Sequence, residues 1–261
     1  MNDVKDPKVG AGTVHRTMSL MTALADFGGP VSVRHIAGEL GLAPSTTHRL
    51  LNLLVTDGFA AFDPKSSLYS VGPELYRISA KIAASTSPAR IARNCITELA
   101  KRYDETVLFG LWMQTAGKIA FVERADGQKK LLYLIEMNTP LSLVWGASGK
   151  AALAFLPDAE IARILKEEGP SPVTGQAPPT ADELNAELAE IRRKGFSVSH
   201  GQKLPGALGI AAPVFGPSGV LGTICMTMPR ERAPTVSTDD LGAEIAAAAL
   251  SLTGQIGGEK P

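Results

Sequence analysis

The sequence has few of the residues that metal sites and disulfide scaffolds require. Its 261 residues include two cysteines, Cys95 and Cys225, and four histidines. Neither cysteine belongs to a CxxC pair, and the histidines show no zinc spacing. We therefore expect buried free thiols, no metal or other cofactor, and a reducing compartment such as the cytoplasm.

Long apolar runs and net charge are also missing. No run reaches the ~18 apolar residues that a membrane span needs, and residues 1–10 lack the apolar core of a signal peptide. These absences predict a cytoplasmic protein without a membrane partner. Lys and Arg total 26, and so do Asp and Glu. Only a local patch of the surface could therefore attract a nucleic acid.

The first third of the chain combines three short helical patterns with a hairpin. Ser32 is a typical N-cap residue, Gly41 a typical C-terminal stop, and Pro44 a typical first-turn residue. Asp63–Ser67 has the composition of a tight turn. The predicted helices cover residues 13–27, 32–41 and 44–58, and the β-rich pieces cover 59–62 and 68–71. This order predicts a winged helix-turn-helix.

The remainder of the chain mixes helices and strands without regular alternation. Strands are predicted between Glu105 and Val144 and on both sides of the turn at 216–219. A capping box at Thr180 and Glu183 predicts a helix that ends at Gly195. This order favours an α+β fold with an antiparallel sheet over a doubly wound parallel sheet. The predicted segments are a disordered tail (1–12), a winged helix-turn-helix (13–72), a connector helix and linker (73–87), a large second domain (88–256) and a tail (257–261).

The third helix carries a polar face opposite its apolar stripe. The apolar side has the spacing i, i+3, i+4, i+7, and so does the polar side, at Ser45, His48, Arg49 and Asn52. Arg and Asn can each make two hydrogen bonds to one base edge in the major groove. A solvated helix face is the alternative interpretation. The preceding short turn and the hairpin residue Lys65 favour DNA binding.

The charge of this region bears on how it could bind DNA. Residues 1–84 contain eight Lys and Arg residues against seven Asp and Glu residues. One copy therefore has little excess positive charge for the phosphate backbone. We expect a homodimer or homotetramer that reads an inverted repeat in double-stranded DNA.

Several runs resemble the IclR family of bacterial transcriptional regulators. In the first region they are Arg16, Ile36–Leu42 (IAGELGL), Ser45–Leu51 (STTHRLL), Asp57–Phe59 and Tyr69–Pro73. In the second they are Leu143–Ala151 and Leu204–Pro213. The resemblance implies a GAF-like C-terminal domain that binds small effectors, often organic acids. It also implies dimers or tetramers. The predicted DNA-contacting residues are Arg16, Ser45, Thr46, Thr47, His48, Arg49, Asn52 and Lys65.

The segment around Ser148 is the predicted effector site. Gly146 and Gly149 allow a close approach of the backbone, and a helix that starts near Ser148 would direct N–H groups at a carboxylate. An ordinary capped helix start is the alternative. A nucleotide P-loop is excluded, because Val144 and Ala151 occupy positions that need Gly and Ser or Thr. The predicted effector-binding residues are Trp145, Ala147, Ser148, Gly149, His200, Gly209, Cys225 and Thr227.

Two departures from the family pattern affect this prediction. Trp145 stands where family members commonly have His, which favours an aromatic or apolar ligand. His200-Gly201-Gln202 replaces a usual acidic run. Lys150 could either pair with the acid or be a solvated helix lysine.

Two other functions are alternatives to a ligand-responsive regulator. The first is a DNA-bound dimeric scaffold whose C-terminal domain binds no ligand. The second is a thiol enzyme with Cys225 as nucleophile and His200 as base. No third catalytic group is evident, so we expect no enzyme activity.

Overall fold

The described part of the chain falls into two units. A computed structural model describes residues 12–84, 87–129, 133, 135–235 and 237–261. The units are Met1–Ser85 and Thr86–Pro261. The tail predicted over residues 1–12 lies outside the described residues except for Gly12, and so do Ser85 and Thr86 of the predicted linker.

Among its described residues, the first unit contains four helices and a two-stranded antiparallel hairpin. In chain order they are α1 (Thr13–Phe27), α2 (Val33–Glu39), α3 (Pro44–Thr56), β1 (Ala60–Asp63), β2 (Leu68–Val71) and α4 (Pro73–Ala84). This order confirms the predicted winged helix-turn-helix. The connector helix predicted from Pro73 is α4, and it belongs to the first unit.

Local signals set the helix ends of this unit. The Ser32 hydroxyl accepts a hydrogen bond from the His35 N–H at 3.3 Å, which caps α2. Gly28 ends α1 with φ = 63°, a conformation that glycine adopts without strain. The apolar stripes of the helices meet the hairpin in one core, which includes Leu20, Leu24, Ile36, Leu50, Leu51 and Tyr69.

The second unit is built on a five-stranded antiparallel sheet with the order β4-β3-β7-β6-β5. Its strands are β3 (Thr106–Met113), β4 (Lys118–Ala125), β5 (Ser197–His200), β6 (Ala207–Gly216) and β7 (Gly219–Pro229). The structure thus confirms the α+β prediction. Strand β5 was not predicted, because its four residues are too short to show a period.

Helices cover both faces of this sheet. On one face, Ile224 and Met226 of β7 pack with α5 (Pro88–Tyr103) and α9 (Thr238–Ile256). The other face carries α6 (Ala147–Leu153), α7 (Asp158–Glu167) and α8 (Ala181–Lys194). Cys225 packs on that second face with Ala147 of α6. The alternation of side chains along β7 therefore directs Cys225 towards α6.

The capping box of α8 confirms a sequence prediction. The Thr180 hydroxyl accepts from the Glu183 N–H at 3.3 Å, and the Thr180 N–H donates to Glu183 Oε2 at 2.8 Å. The tail predicted from residue 257 starts in contact with the fold, since the Gly258 N–H donates to the Thr253 carbonyl at 2.9 Å. Within the described ranges, no helix has the length and apolar composition that a membrane crossing needs.

Candidate functional sites: an exposed helix face and a cavity

Helix α3 presents the predicted polar face to solvent. Pro44 occupies its first turn, and Leu50, Leu51 and Leu54 are buried beneath it. On the opposite side the side chains of Ser45, His48, Arg49 and Asn52 are exposed. The helix therefore offers a hydroxyl, an imidazole, a guanidinium and an amide on one accessible face.

Asn52 also ties α3 to the hairpin. The Tyr69 hydroxyl on β2 donates to Asn52 Oδ1 at 2.9 Å, and Asn52 Nδ2 lies 3.4 Å from His48 Nδ1. The sequence pattern gave no sign of this link. The amide oxygen of Asn52 thus already accepts one hydrogen bond, so a two-bond contact to adenine would use the second lone pair of this oxygen.

Two other residues of the predicted DNA set are less accessible. The Thr47 side chain is fully buried, and its hydroxyl donates to the Ala43 carbonyl at 3.2 Å. Including Thr47 in the DNA-contacting set was wrong, because it belongs to the apolar stripe of α3. Arg16 on α1 is partly buried, and its Nε has no hydrogen-bond partner among the described residues. Thr46 is partly exposed.

Lys65 lies at the exposed turn of the hairpin. The Asp63 carboxylate accepts from the Ser66 hydroxyl at 2.6 Å and from the Lys65 N–H at 3.0 Å. These hydrogen bonds hold the pKa of Asp63 below its usual value. The Asp63 carboxylate therefore stays negatively charged next to Lys65. It reduces the net positive charge that the turn presents to DNA.

A cavity of about 60 Å³ lies between the sheet and the start of α6 in the second unit. Five of the eight predicted effector residues line it, namely Ala147, Ser148, Gly209, Cys225 and Thr227. The other wall residues are Phe121, Ile135, Gly146, Ser199, Gly201, Gln202, Lys203, Leu204 and Ala207. The register of β6 and β7 explains the grouping, since Gly209 pairs with Thr227 and Ala211 with Cys225.

Polar groups at this cavity are of two kinds. The Ser148 hydroxyl has no hydrogen-bond partner among the described residues, so it is available to a ligand. Gln202 is already engaged, because its Oε1 accepts from the Gly146 N–H and the Ser199 hydroxyl, each at 3.2 Å. Gln202 thereby fixes the segment before α6 to the loop after β5.

Cys225 is a buried, neutral thiol. Burial raises its pKa to about 11, although the Thr227 hydroxyl and the Ser148 N–H partly offset this effect. A thiol with that pKa is protonated near neutral pH and is a poor nucleophile. His200 is exposed at the end of β5 and is not part of the cavity wall. The arrangement does not support the thiol-enzyme alternative.

Three predicted effector residues lie outside the wall of this cavity. Trp145 is only 2% exposed, and its indole N–H donates to the Gly169 carbonyl at 3.2 Å. A Cβ on Gly149 would lie 2.6 Å from the Leu143 backbone, so Gly149 permits a close packing contact. His200 faces solvent. The wall of this cavity therefore does not include Trp145, Gly149 or His200, and their role in effector binding stays a prediction.

The lysine of the cavity is Lys203 and not Lys150. Lys150 is buried, and its ammonium lies 2.7 Å and 2.8 Å from the two carboxylate oxygens of Glu187 on α8. Both interpretations of Lys150 from the sequence were therefore wrong. The side chain is not solvated, and its ammonium is not free to pair with an acid. The Lys203 ammonium donates to the Ser142 carbonyl at 2.7 Å. Burial lowers the pKa of Lys203 to about 8.

Lys203 was missed by sequence reasoning, although a signal existed. It follows His200-Gly201-Gln202, the segment at which the chain departs from the family pattern. Its aliphatic stem lies over Gly146, where an added Cβ would be 3.0 Å from Lys203 Cδ. Gly146 also has φ = 81°, so both conformation and contact require glycine at this position.

Comparisons with known proteins assign the chain to a family. Residues 81–253 match the domain described as "Bacterial transcriptional regulator IclR C-terminal", and residues 13–64 match "IclR helix-turn-helix domain". The chain belongs to the IclR family of transcriptional regulators. It is therefore a regulator with a DNA-binding helix-turn-helix and a C-terminal effector domain.

Similar IclR-family proteins cover most of the chain. The HTH-type transcriptional regulator BhcR of Paracoccus denitrificans is 26% identical over 210 residues, which is 80% of this chain and 74% of that protein. The transcriptional repressor IclR of Escherichia coli is 24% identical over 248 residues, covering 93% and 89%.

Solved structures of the same family have the same fold. An IclR transcriptional regulator from Silicibacter sp. TM1040 is similar with a TM-score of 0.83 and 26% identity, over 96% of this chain and 98% of that one. An IclR homologue from Microbacterium hydrocarbonoxydans, crystallised with 4-hydroxybenzoate, has a TM-score of 0.73 and 18% identity, covering 92% and 99%. In the described part of this chain, no group of three potential metal ligands comes together.

Proposed function

We propose that this IclR-family regulator changes its DNA binding when a small organic acid occupies the cavity beside α6. The observation that carries the proposal is the set of predicted residues at one cavity, with the Ser148 hydroxyl unpaired. The homologue from Microbacterium hydrocarbonoxydans supports an aromatic acid as one candidate, because it was crystallised with 4-hydroxybenzoate.

The exposed face of α3 is the proposed DNA-recognition surface. Arg49 and His48 are accessible there, and Lys65 is accessible on the hairpin. Because the region 1–84 has nearly balanced charges, two copies acting together would supply the phosphate contacts that one lacks. We propose a homodimer or homotetramer in the cytoplasm. Its operator is an inverted repeat with half-sites about one helical turn, ~34 Å, or a multiple apart.

Regulation requires that the acid distinguish two states of the protein. A ligand with equal affinity for the DNA-bound and DNA-free states shifts nothing. Helix α4 is the last described element before the second unit along the chain. It is the covalent route by which occupancy of the cavity reaches the DNA-binding unit. A DNA-bound scaffold without a ligand would have no such coupling.

The proposal is tested with Ser148→Asp in the full-length protein. The new carboxylate occupies the cavity wall and repels an acid. We expect calorimetry to show lost binding of 4-hydroxybenzoate or a related acid, while ligand-free DNA affinity stays at the wild-type value. Ser251→Asp, an exposed serine of α9, is the matched control. Unchanged acid affinity in Ser148→Asp would exclude this cavity as the site.

A further inference from the structure

A second cavity adjoins the one beside α6. Its volume is about 450 Å³, and it shares the wall residues Ile135, Lys203 and Leu204 with the small cavity. The rest of its lining is mostly apolar and comprises Glu136, Pro140, Leu141, Ser142, Trp145, Pro172 and Val173. Trp145, one of the predicted effector-binding residues, is thus part of the wall of this larger cavity.

The two volumes suit different parts of a ligand. A cavity of about 150 Å³ accommodates a benzene ring. The small cavity, at about 60 Å³, is too small for a ring but has room for a carboxylate. The larger cavity has room for a ring and offers it an indole and aliphatic side chains. A polar head and an apolar body would therefore fit in different cavities.

Lys203 is the cation where the two cavities meet. Its ammonium donates to the Ser142 carbonyl, and no carboxylate of the described residues forms an ion pair with it. Glu168 is the carboxylate whose charge acts on Lys203. It accepts a hydrogen bond from the Ser142 hydroxyl at 2.6 Å. Lys203 is partly buried, and a partly desolvated cation without an ion-pair partner gains from an anion that comes from outside.

We propose that Lys203 selects the effector by binding its carboxylate in the small cavity, while the apolar body of the effector lies in the larger cavity against Trp145. This inference rests on the proposed function and adds the chemical class of the ligand. The effector is a monocarboxylic acid that carries an apolar ring or branched chain. The Ser148 hydroxyl is the second donor to the carboxylate.

The charge test compares benzoate with benzamide, its neutral analogue of the same shape. By calorimetry at pH 7, the wild type should prefer benzoate, and Lys203→Met should lose roughly tenfold or more of that preference, as expected for a lost charge-assisted contact. Lys166→Met, an exposed lysine of α7, should keep it. A preference retained in Lys203→Met overturns the role of Lys203, and so does a wild type without any preference.

The pH dependence provides a readout that a structural role would not change. The charged and titratable groups around Lys203 are Cys225, Glu168 and Lys118, with Glu136 on the larger cavity. Lys203 has a pKa of about 8, and a bound carboxylate would raise it. Benzoate affinity should be constant up to about pH 8 and then fall, by up to ~10-fold per pH unit. Lys203→Met should show a flat profile, and a flat wild-type profile contradicts the proposal.

The position of the apolar body is tested with Val173→Trp. Val173 lines the larger cavity and is 38% exposed, so a larger side chain fits without disturbing the core. We expect the affinity for benzoate to fall by roughly tenfold or more, comparable to the loss of a buried apolar contact. The affinity for propionate should not change. Equal effects on both acids, or none on either, overturn the two-cavity arrangement. The proposed function itself fails if no acid binds to the protein, or if the acids that bind leave operator affinity unchanged.

Discussion

The face of α3 and the cavity beside α6 differ in how their residues are brought together. The first is formed by four positions within one stretch of a single helix, Ser45, His48, Arg49 and Asn52, and their side chains point into solvent. The second collects residues from four strands, a helix start and the loop after β5. A local period predicts the first kind of site, whereas strand register and loop packing decide the second.

The same contrast separates stability from function. Apart from Asn52, which is hydrogen-bonded to Tyr69, the accessible residues of α3 support little of the fold, so their loss should affect DNA binding alone. Residues beneath them, and residues of the cavity, contribute to packing as well. Substitutions that separate these two effects test the comparison directly.

The largest effect is expected from the buried side of α3. Leu51 is fully buried, so Leu51→Ala should lower the free energy of unfolding of the first unit by about 2–5 kcal/mol, through lost burial and a residual cavity. Denaturant unfolding followed by circular dichroism measures this. Leu53→Ala on the same helix, where Leu53 is 51% exposed, should cost within about 0.5 kcal/mol. Equal losses would mean that the two sides of α3 are not distinct.

On the exposed side, Arg49→Ala should weaken specific operator binding by about 1–3 kcal/mol if Arg49 contacts a base. The unfolding free energy should not change, because Arg49 is exposed. Fluorescence anisotropy with a labelled operator duplex measures the affinity. Arg193→Ala, an exposed arginine of α8, serves as control. Wild-type affinity in Arg49→Ala would remove Arg49 from the reading face.

Lys65→Ala should have a smaller and less specific effect. Because Lys65 lies on the exposed turn of the hairpin, we expect a contact to phosphate, which weakens binding to every duplex alike. The slope of log affinity against log salt should fall by about one unit. Gel shifts at several salt concentrations with operator and random duplexes decide this. A loss confined to the operator would instead assign Lys65 to base reading.

The smallest effect is expected from the link between α3 and the hairpin. Tyr69→Phe removes the hydroxyl that donates to Asn52, and the typical net value of such a bond is about 0.5–1.5 kcal/mol. The loss should appear in unfolding free energy. The freed Asn52 amide would leave operator affinity equal or higher. A strong decrease in affinity at unchanged stability would show that the link aligns α3 for DNA.

The sequence predicted the first unit and its exposed helix face more fully than the cavity of the effector domain. Helix α3, its apolar stripe and the hairpin follow from local periods and turn residues. Thr47 lies on the apolar stripe, and its inclusion in the DNA-contacting set was wrong. In the effector domain, Ser148 followed from a glycine-rich segment, and the predicted effector residues Cys225 and Thr227 line the same cavity. Lys203 was missed although it follows the segment that departs from the family pattern, because its position at the cavity depends on how the loop between β5 and β6 packs. Lys150 was misjudged because its partner Glu187 lies on a separate helix.

The central claim is that an acid in the cavity and DNA on α3 are coupled through one chain. The direct test is operator affinity, measured by anisotropy for the full-length protein with and without saturating 4-hydroxybenzoate or another acid that calorimetry shows to bind. The operator can be selected from random duplexes by the protein itself. We predict a change of about 5–150-fold, the usual range of allosteric coupling, and none in Ser148→Asp. Identical operator affinity with and without bound acid would contradict the account.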